Sequence, residues 1–147
     1  MLETIKARIF EKYKKEDNKG IFFSLLDKDG VLLASTGVLD TDKPLGELVD
    51  IVYAGLLDKE KNVVTVVVDV VTSVEQETDM KKMLWLSTKE YGVFIINNED
   101  QKSGVMLPNL SGVVDVQTAL GLIKKKYSVT GNVLIYVFKT DRFAFNV

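Results

Sequence analysis

Apolar residues along the chain switch repeatedly between helical and strand spacing, and each switch predicts an element. Leu2, Ile5, Ile9 and Tyr13 recur at helical intervals and line one face of a helix. Lys12, Lys14 and Lys15 crowd its expected end, where positive charge suits the helix dipole. After Gly20 the pattern becomes two apolar runs around Lys28-Asp29-Gly30. That spells a hairpin, because Asp-Gly supplies the positive φ angles of a tight turn. Pro44 then marks a first helical turn, with Thr41 or Asp42 as its cap. Leu45, Leu48, Val49, Val52 and Leu56 form the core-facing stripe of that helix.

The run NVVTVVVDVVTSV is a strand by its β-branched content. Val64, Val66, Val68 and Val70 occupy one face, and Val63, Thr65, Val67, Asp69 and Val71 the other. A strand apolar on nearly both sides belongs mid-sheet, covered on both faces. Thr78-Asp79 starts a short helix that runs to about Leu86. YGVFIINNEDQKSGVMLP reads as a second hairpin with Asn97 to Lys102 as its connection. Proline cannot donate to a ladder, so that hairpin stops at Pro108-Asn109. A short loop over 109–114 then leads to Asp115, the cap of a further helix with Val116, Leu120, Ile123 and Tyr127 inward. NVLIYVFKTDRFAFNV closes the sequence as two strands, or one bent strand, around Lys139 to Arg142. Hairpins interleaved with helices predict an α+β fold. We expect a single domain over 1–147, with a mainly antiparallel sheet and about four helices packed on it.

Composition narrows the chemistry. A chain of 147 residues with 46% hydrophobic and 27% charged residues suits one globular domain. A net charge of −2 gives no electrostatic footprint for nucleic acid. There are no histidines and no cysteines, so neither imidazole nor thiolate is on hand for a metal or a nucleophile. The amphipathic, mixed-charge start of the sequence lacks the apolar core of a secretory signal, and no stretch is long enough to span a bilayer. The expected location is cytoplasmic, with no membrane partner. Neither glycine-rich phosphate fingerprint is present, and no cofactor is expected.

Some residues invite sharper readings. Asp27-Lys28-Asp29-Gly30 is a fragment of a calcium loop, but position twelve counted from Asp27 is Val38 instead of a glutamate. The hairpin turn accounts for all four residues, and no metal site is expected. Asp69 lies inside the valine strand, where burial would raise a carboxylate pKa and mark a site. The plainer reading, solvent exposure near the strand end, is preferred. Lys124, Lys125 and Lys126 suit a solvated helix end better than a phosphate site. Trp85 with Met80, Met83 and Leu84 suits a partner surface, although such a cluster more often sits in a core.

The sequence also resembles the AMMECR1-like domain family. Ser103-Gly104-Val105-Met106-Leu107-Pro108 matches its S-G-(V/L)-L-L-P run, with Asn109 in place of the usual glutamine. Ile135-Tyr136-Val137-Phe138 stands at its closing strand, and Glu90-Tyr91-Gly92-Val93-Phe94 at the strand before the run. GIFFSLLDKDGVLLASTGVLDTDKPLGELV is similar to its opening hairpin and proline-led helix. The hallmark L-R-G-C-I-G, however, is Leu32-Leu33-Ala34-Ser35-Thr36-Gly37 here, with Leu33 for the arginine and Ser35 for the cysteine. The segment built around D-P-R-F is also missing: residues 57–61 run almost directly into the valine strand.

The resemblance implies an α+β fold and, with the hallmark side chains lost, a non-catalytic accessory or interaction module. Ser35, Thr36, Asn109 and Asp69 are the candidate ligand-binding residues for a small ligand or peptide. Memo-like or radical-SAM proteins are the partners the family suggests. Two alternatives remain open. One is a hydrolase or transferase that works without histidine or cysteine, with Ser35 activated by a lysine or carboxylate. The other is a roadblock- or profilin-like scaffold that dimerises through its sheet. Oligomeric state is left open.

Overall fold

The computed structural model describes residues 1–56, 61–110 and 113–147. In chain order the elements are α1 (Leu2–Ile9), β1 (Ile21–Leu26), β2 (Leu32–Val38), α2 (Leu45–Ala54) and β3 (Thr65–Gln76). They continue as α3 (Met80–Leu84), β4 (Gly92–Ile96), β5 (Ser103–Met106), α4 (Val116–Tyr127) and β6 (Leu134–Asn146). The fold class is α+β, and the strands are hydrogen-bonded in the order β2-β1-β3-β6-β4-β5. Residues 57–60, ahead of the valine strand, and residues 111 and 112 of the loop expected over 109–114 lie outside the described residues. The chain divides into two compact units, Met1–Thr72 with Asp141–Val147, and Ser73–Thr140.

In the first unit β1 pairs antiparallel with both β2 and β3. The hairpin turn forms because the Asp27 side chain imitates a backbone acceptor: its Oδ1 takes N–H bonds from Asp29 and Val31 at 2.8 and 2.9 Å. Gly30 supplies the left-handed step at φ 77°. One face of this sheet carries Ile21, Phe23, Leu25, Val66, Val68 and Val70, which pack with Ile5 and Ile9 of α1 and Leu45, Leu48, Val49 and Val52 of α2. Val66 to Val71 are all buried, as the apolar pattern of both faces predicts.

Two local expectations change here. α1 ends at Ile9, so Tyr13 and Lys12, Lys14 and Lys15 lie beyond it, and the basic residues of its last turn are Lys6 and Arg8. Neither Thr41 nor Asp42 caps α2, whose N-cap is Pro44 without a side-chain bond. Instead the N–H groups of Leu45 and Gly46 donate to the carbonyls of Asp17 and Lys15 at 2.8 and 2.9 Å. The segment after α1 thus satisfies the orphan donors that a cap would otherwise serve.

In the second unit β4 pairs antiparallel with β5 and with β6. Met83, Val93, Ile95, Val116, Ala119, Ile123 and Val129 form its core. Asp79 caps α3 by accepting from the N–H groups of Lys81 and Lys82, and Asp115 caps α4 through the N–H of Thr118 at 2.7 Å. Lys124, Lys125 and Lys126 fall in the last turn of α4, as expected of a solvated end. The last element is a single thirteen-residue strand, β6, not two.

Candidate functional site

Strand geometry decides where the hallmark segment points. Successive side chains alternate between faces. Thr36 stands opposite Phe23, on the side of α1 and α2, whereas Ser35 stands opposite Ser24, on the other side. Gly37 stands opposite Phe22, and a Cβ there would come within 2.6 Å of the Phe22 Cα and ring. Only glycine lets that ring lie against the strand.

Thr36, Val38, Leu48, Ile51, Val52 and other residues line a cleft of about 240 Å³ between β2 and α2. Its wall is mostly aliphatic, and its polar groups come from Thr36, Thr41 and Lys43. Ile51 is 47% exposed even though it is a large aliphatic residue, because it sits outside the stripe that seats α2 on the sheet. β2 itself stands at one end of the strand order. One side of its ladder therefore faces no strand among the described residues.

Asp69 departs from the preferred sequence reading. It lies on β3 opposite Phe22 and is fully buried. The Arg142 guanidinium grips it in two places, Nε to Oδ1 at 2.9 Å and Nη2 to Oδ2 at 3.2 Å. Arg142 keeps 30% of its side chain exposed. Arg142 belongs to no motif; an arginine in the closing strand together with a carboxylate inside a valine run is the signal that points to it. Such a bidentate grip holds the carboxylate in place, which is structural work.

A neighbouring network ties Tyr13 to the end of the chain: its hydroxyl donates to Asp141 Oδ2 at 2.8 Å. Burial, then the bond to Asp141, pushes the Tyr13 phenol above its ordinary range. Burial works to raise the Asp141 carboxyl, but the bonds from Lys12 and Tyr13 outweigh it and hold it below its usual value.

Asn109 belongs to the second unit, while Ser35, Thr36 and Asp69 belong to the first. Asn109 adopts φ 56°, a left-handed conformation that asparagine tolerates better than most residues. Its N–H donates to Thr88 O at 2.8 Å, and Thr88 Oγ1 donates to Val113 O at 3.1 Å. The corner after Pro108 is thus a turn held by Thr88. Of the aromatic and methionine cluster, only Met83 is core: Trp85 is 88% exposed, and Met80 and Leu84 also face outward.

A second cleft, of about 500 Å³, lies between α1 and α2 and includes Glu3, Lys6, Lys15 and Asp50. Lys6 meets Asp50 at 2.6 Å there, and that bond raises its pKa. Glu3, Lys6 and Asp50 are turned toward each other and Lys15 lies over the Phe10 ring, so the β2–α2 cleft is the better receptor for an apolar group.

No family model and no curated protein matches the sequence. The fold does match a solved structure. The chain is similar to the crystal structure of the uncharacterized protein PH0010 from Pyrococcus horikoshii, with a TM-score of 0.70 and 17% identity. The match covers 88% of this chain and 75% of that one. At that identity the likeness establishes a shared α+β fold. No helix among the described residues is long and apolar enough to cross a membrane.

Proposed function

We propose that this chain is a divergent AMMECR1-like domain that works in the cytoplasm as a non-catalytic interaction module. The observation that carries this reading is the β2–α2 cleft: it is formed by the segment that replaces the family hallmark, and its wall is aliphatic. A hydrolase needs a nucleophile beside a base. Among the described residues that line this cleft, Lys43 is the one ionisable side chain near Thr36, and it is already paired with Glu47 at 3.8 Å. Asp69, the buried carboxylate, is engaged by Arg142. By the family resemblance, the partners are Memo-like or radical-SAM proteins.

The test is a calorimetric titration of the full chain against a Memo-like protein and a radical-SAM protein, with a parallel survey of ester and phosphoester hydrolysis. Binding without turnover supports the module. Hydrolysis that disappears in Ser35→Ala overturns it in favour of an enzyme.

A further inference from the structure

We infer that the β2–α2 edge receives an extended peptide of a partner protein, which adds to the sheet as a strand beside β2 and seats an aliphatic side chain in the cleft. This rests on the module reading above and names what the module binds.

The argument begins with the strand. An edge strand presents unpaired N–H and C=O groups, and natural proteins usually blunt such an edge with charge, proline or a bulge. β2 reads LLASTGV over Leu32–Val38, seven residues with no charge and no proline. Its irregularity lies across from Leu25 and Leu26 at the turn end, which leaves Ala34 to Val38 in regular register. The groups left over there are backbone groups, and another backbone is what satisfies them.

The cleft adds side-chain selectivity. Thr36 and Val38, two residues apart, both face α2 and lie in its lining. An added strand would lie roughly 4.8 Å farther out with the same alternation, so every second side chain of the peptide turns toward Ile51 and Val52. About 240 Å³ is small for a free organic ligand, whose sites run to roughly 300–1,000 Å³, and suits an anchoring side chain. A second copy of this chain fits less well. The side chains of β2 on that face are Ala34, Thr36 and Val38, which are too small to fill the space. Lys43, the one charged residue of the described lining, is already paired with Glu47 at 3.8 Å, so the anchor is selected by its size and apolarity.

A display library of random heptapeptides, selected on the full chain and counter-selected on Ile51→Asp, tests the inference. Ile51 is half exposed, so that variant keeps its fold; Thr36→Lys, which places a charge on the edge, is the second variant. Enriched peptides are expected to carry leucine, isoleucine or methionine at alternate positions. A synthetic representative should shift amide resonances over 32–38. Its Kd should rise at least about tenfold in either variant and when its alternate amides are N-methylated. Peptides held equally by Ile51→Asp, or shifting resonances elsewhere, overturn the inference while leaving the module reading intact. So does an empty selection. A dimer by light scattering that Thr36→Lys dissociates overturns it in favour of a second copy. Ser35-dependent turnover is the separate result that removes the module reading itself.

Discussion

The two units bury polar groups in different ways. In the first, the buried charge is paired with charge: Asp69 is sealed under the Arg142 guanidinium, and the half-buried Asp141 nearby takes bonds from Lys12 and the Tyr13 hydroxyl. In the second, neutral side chains serve the backbone. Asn97 donates to Thr130 O at 2.6 Å and accepts from Glu99 N at 2.9 Å, and Thr88 holds Val113 O. The difference predicts how each unit fails. Removing one member of a buried charge pair leaves a buried charge without it, whereas removing a neutral side chain leaves only backbone groups without theirs. The first unit therefore concentrates its vulnerability in a few residues, and the second spreads it over turns and caps.

The sharpest way to break this contrast is Arg142→Met. It leaves the fully buried Asp69 without its guanidinium and should cost about 3 kcal/mol by urea denaturation. The double variant Asp69→Leu with Arg142→Met should recover most of that loss. If it does not, the pair is not a unit of stability.

Asn97→Ala removes two bonds from a residue only 7% exposed and should cost about 2 kcal/mol, less than the arginine change. A larger loss than Arg142→Met would reverse the comparison.

Ser24→Ala should go the other way. The Ser24 Oγ is buried and finds no hydrogen-bond partner among the described residues, so deleting it should raise the unfolding free energy by about 1 kcal/mol. A loss of similar size would mean that the hydroxyl has a partner in solution.

The smallest effect is pH-dependent. The Asp141 carboxyl is held below its ordinary 3.8, so its contribution to stability is full above that value and fades as pH falls through the lowered folded value. Tyr13, pushed above its ordinary 10.0, remains a donor throughout the acid range. Tyr13→Phe should therefore lower the melting temperature slightly at neutral pH, and the gap should narrow below pH 3.8. A gap that stays constant into acid would show that the Tyr13 hydroxyl does not act through Asp141.

Local pattern carried most of the elements. Valine alternation placed β3 mid-sheet, Asp-Gly marked the first hairpin, and Asp79 and Asp115 announced their helices, because each signal acts within a few residues. Pro108-Asn109 was legible as a stop; that Asn109 takes a left-handed φ with Thr88 beneath it was not. The candidate site was legible only in part. Thr36 lies in the β2–α2 cleft, but Ile51 and Lys43 enter it from a helix and a loop whose approach no spacing rule announces.

The order of apolar and turn residues was enough to establish which segments are helix, which are strand, and that the fold is α+β, because periodicity and backbone preference are short-range properties. Folding in three dimensions decided the rest. It brought Arg142 onto Asp69 across 73 positions of sequence, replaced the cap of α2 with carbonyls from the segment after α1, and left β2 at the end of the strand order. Each of these depends on partners distant in sequence, and a desolvated charge or an unpaired amide has no meaning until the surrounding chain has excluded water from it.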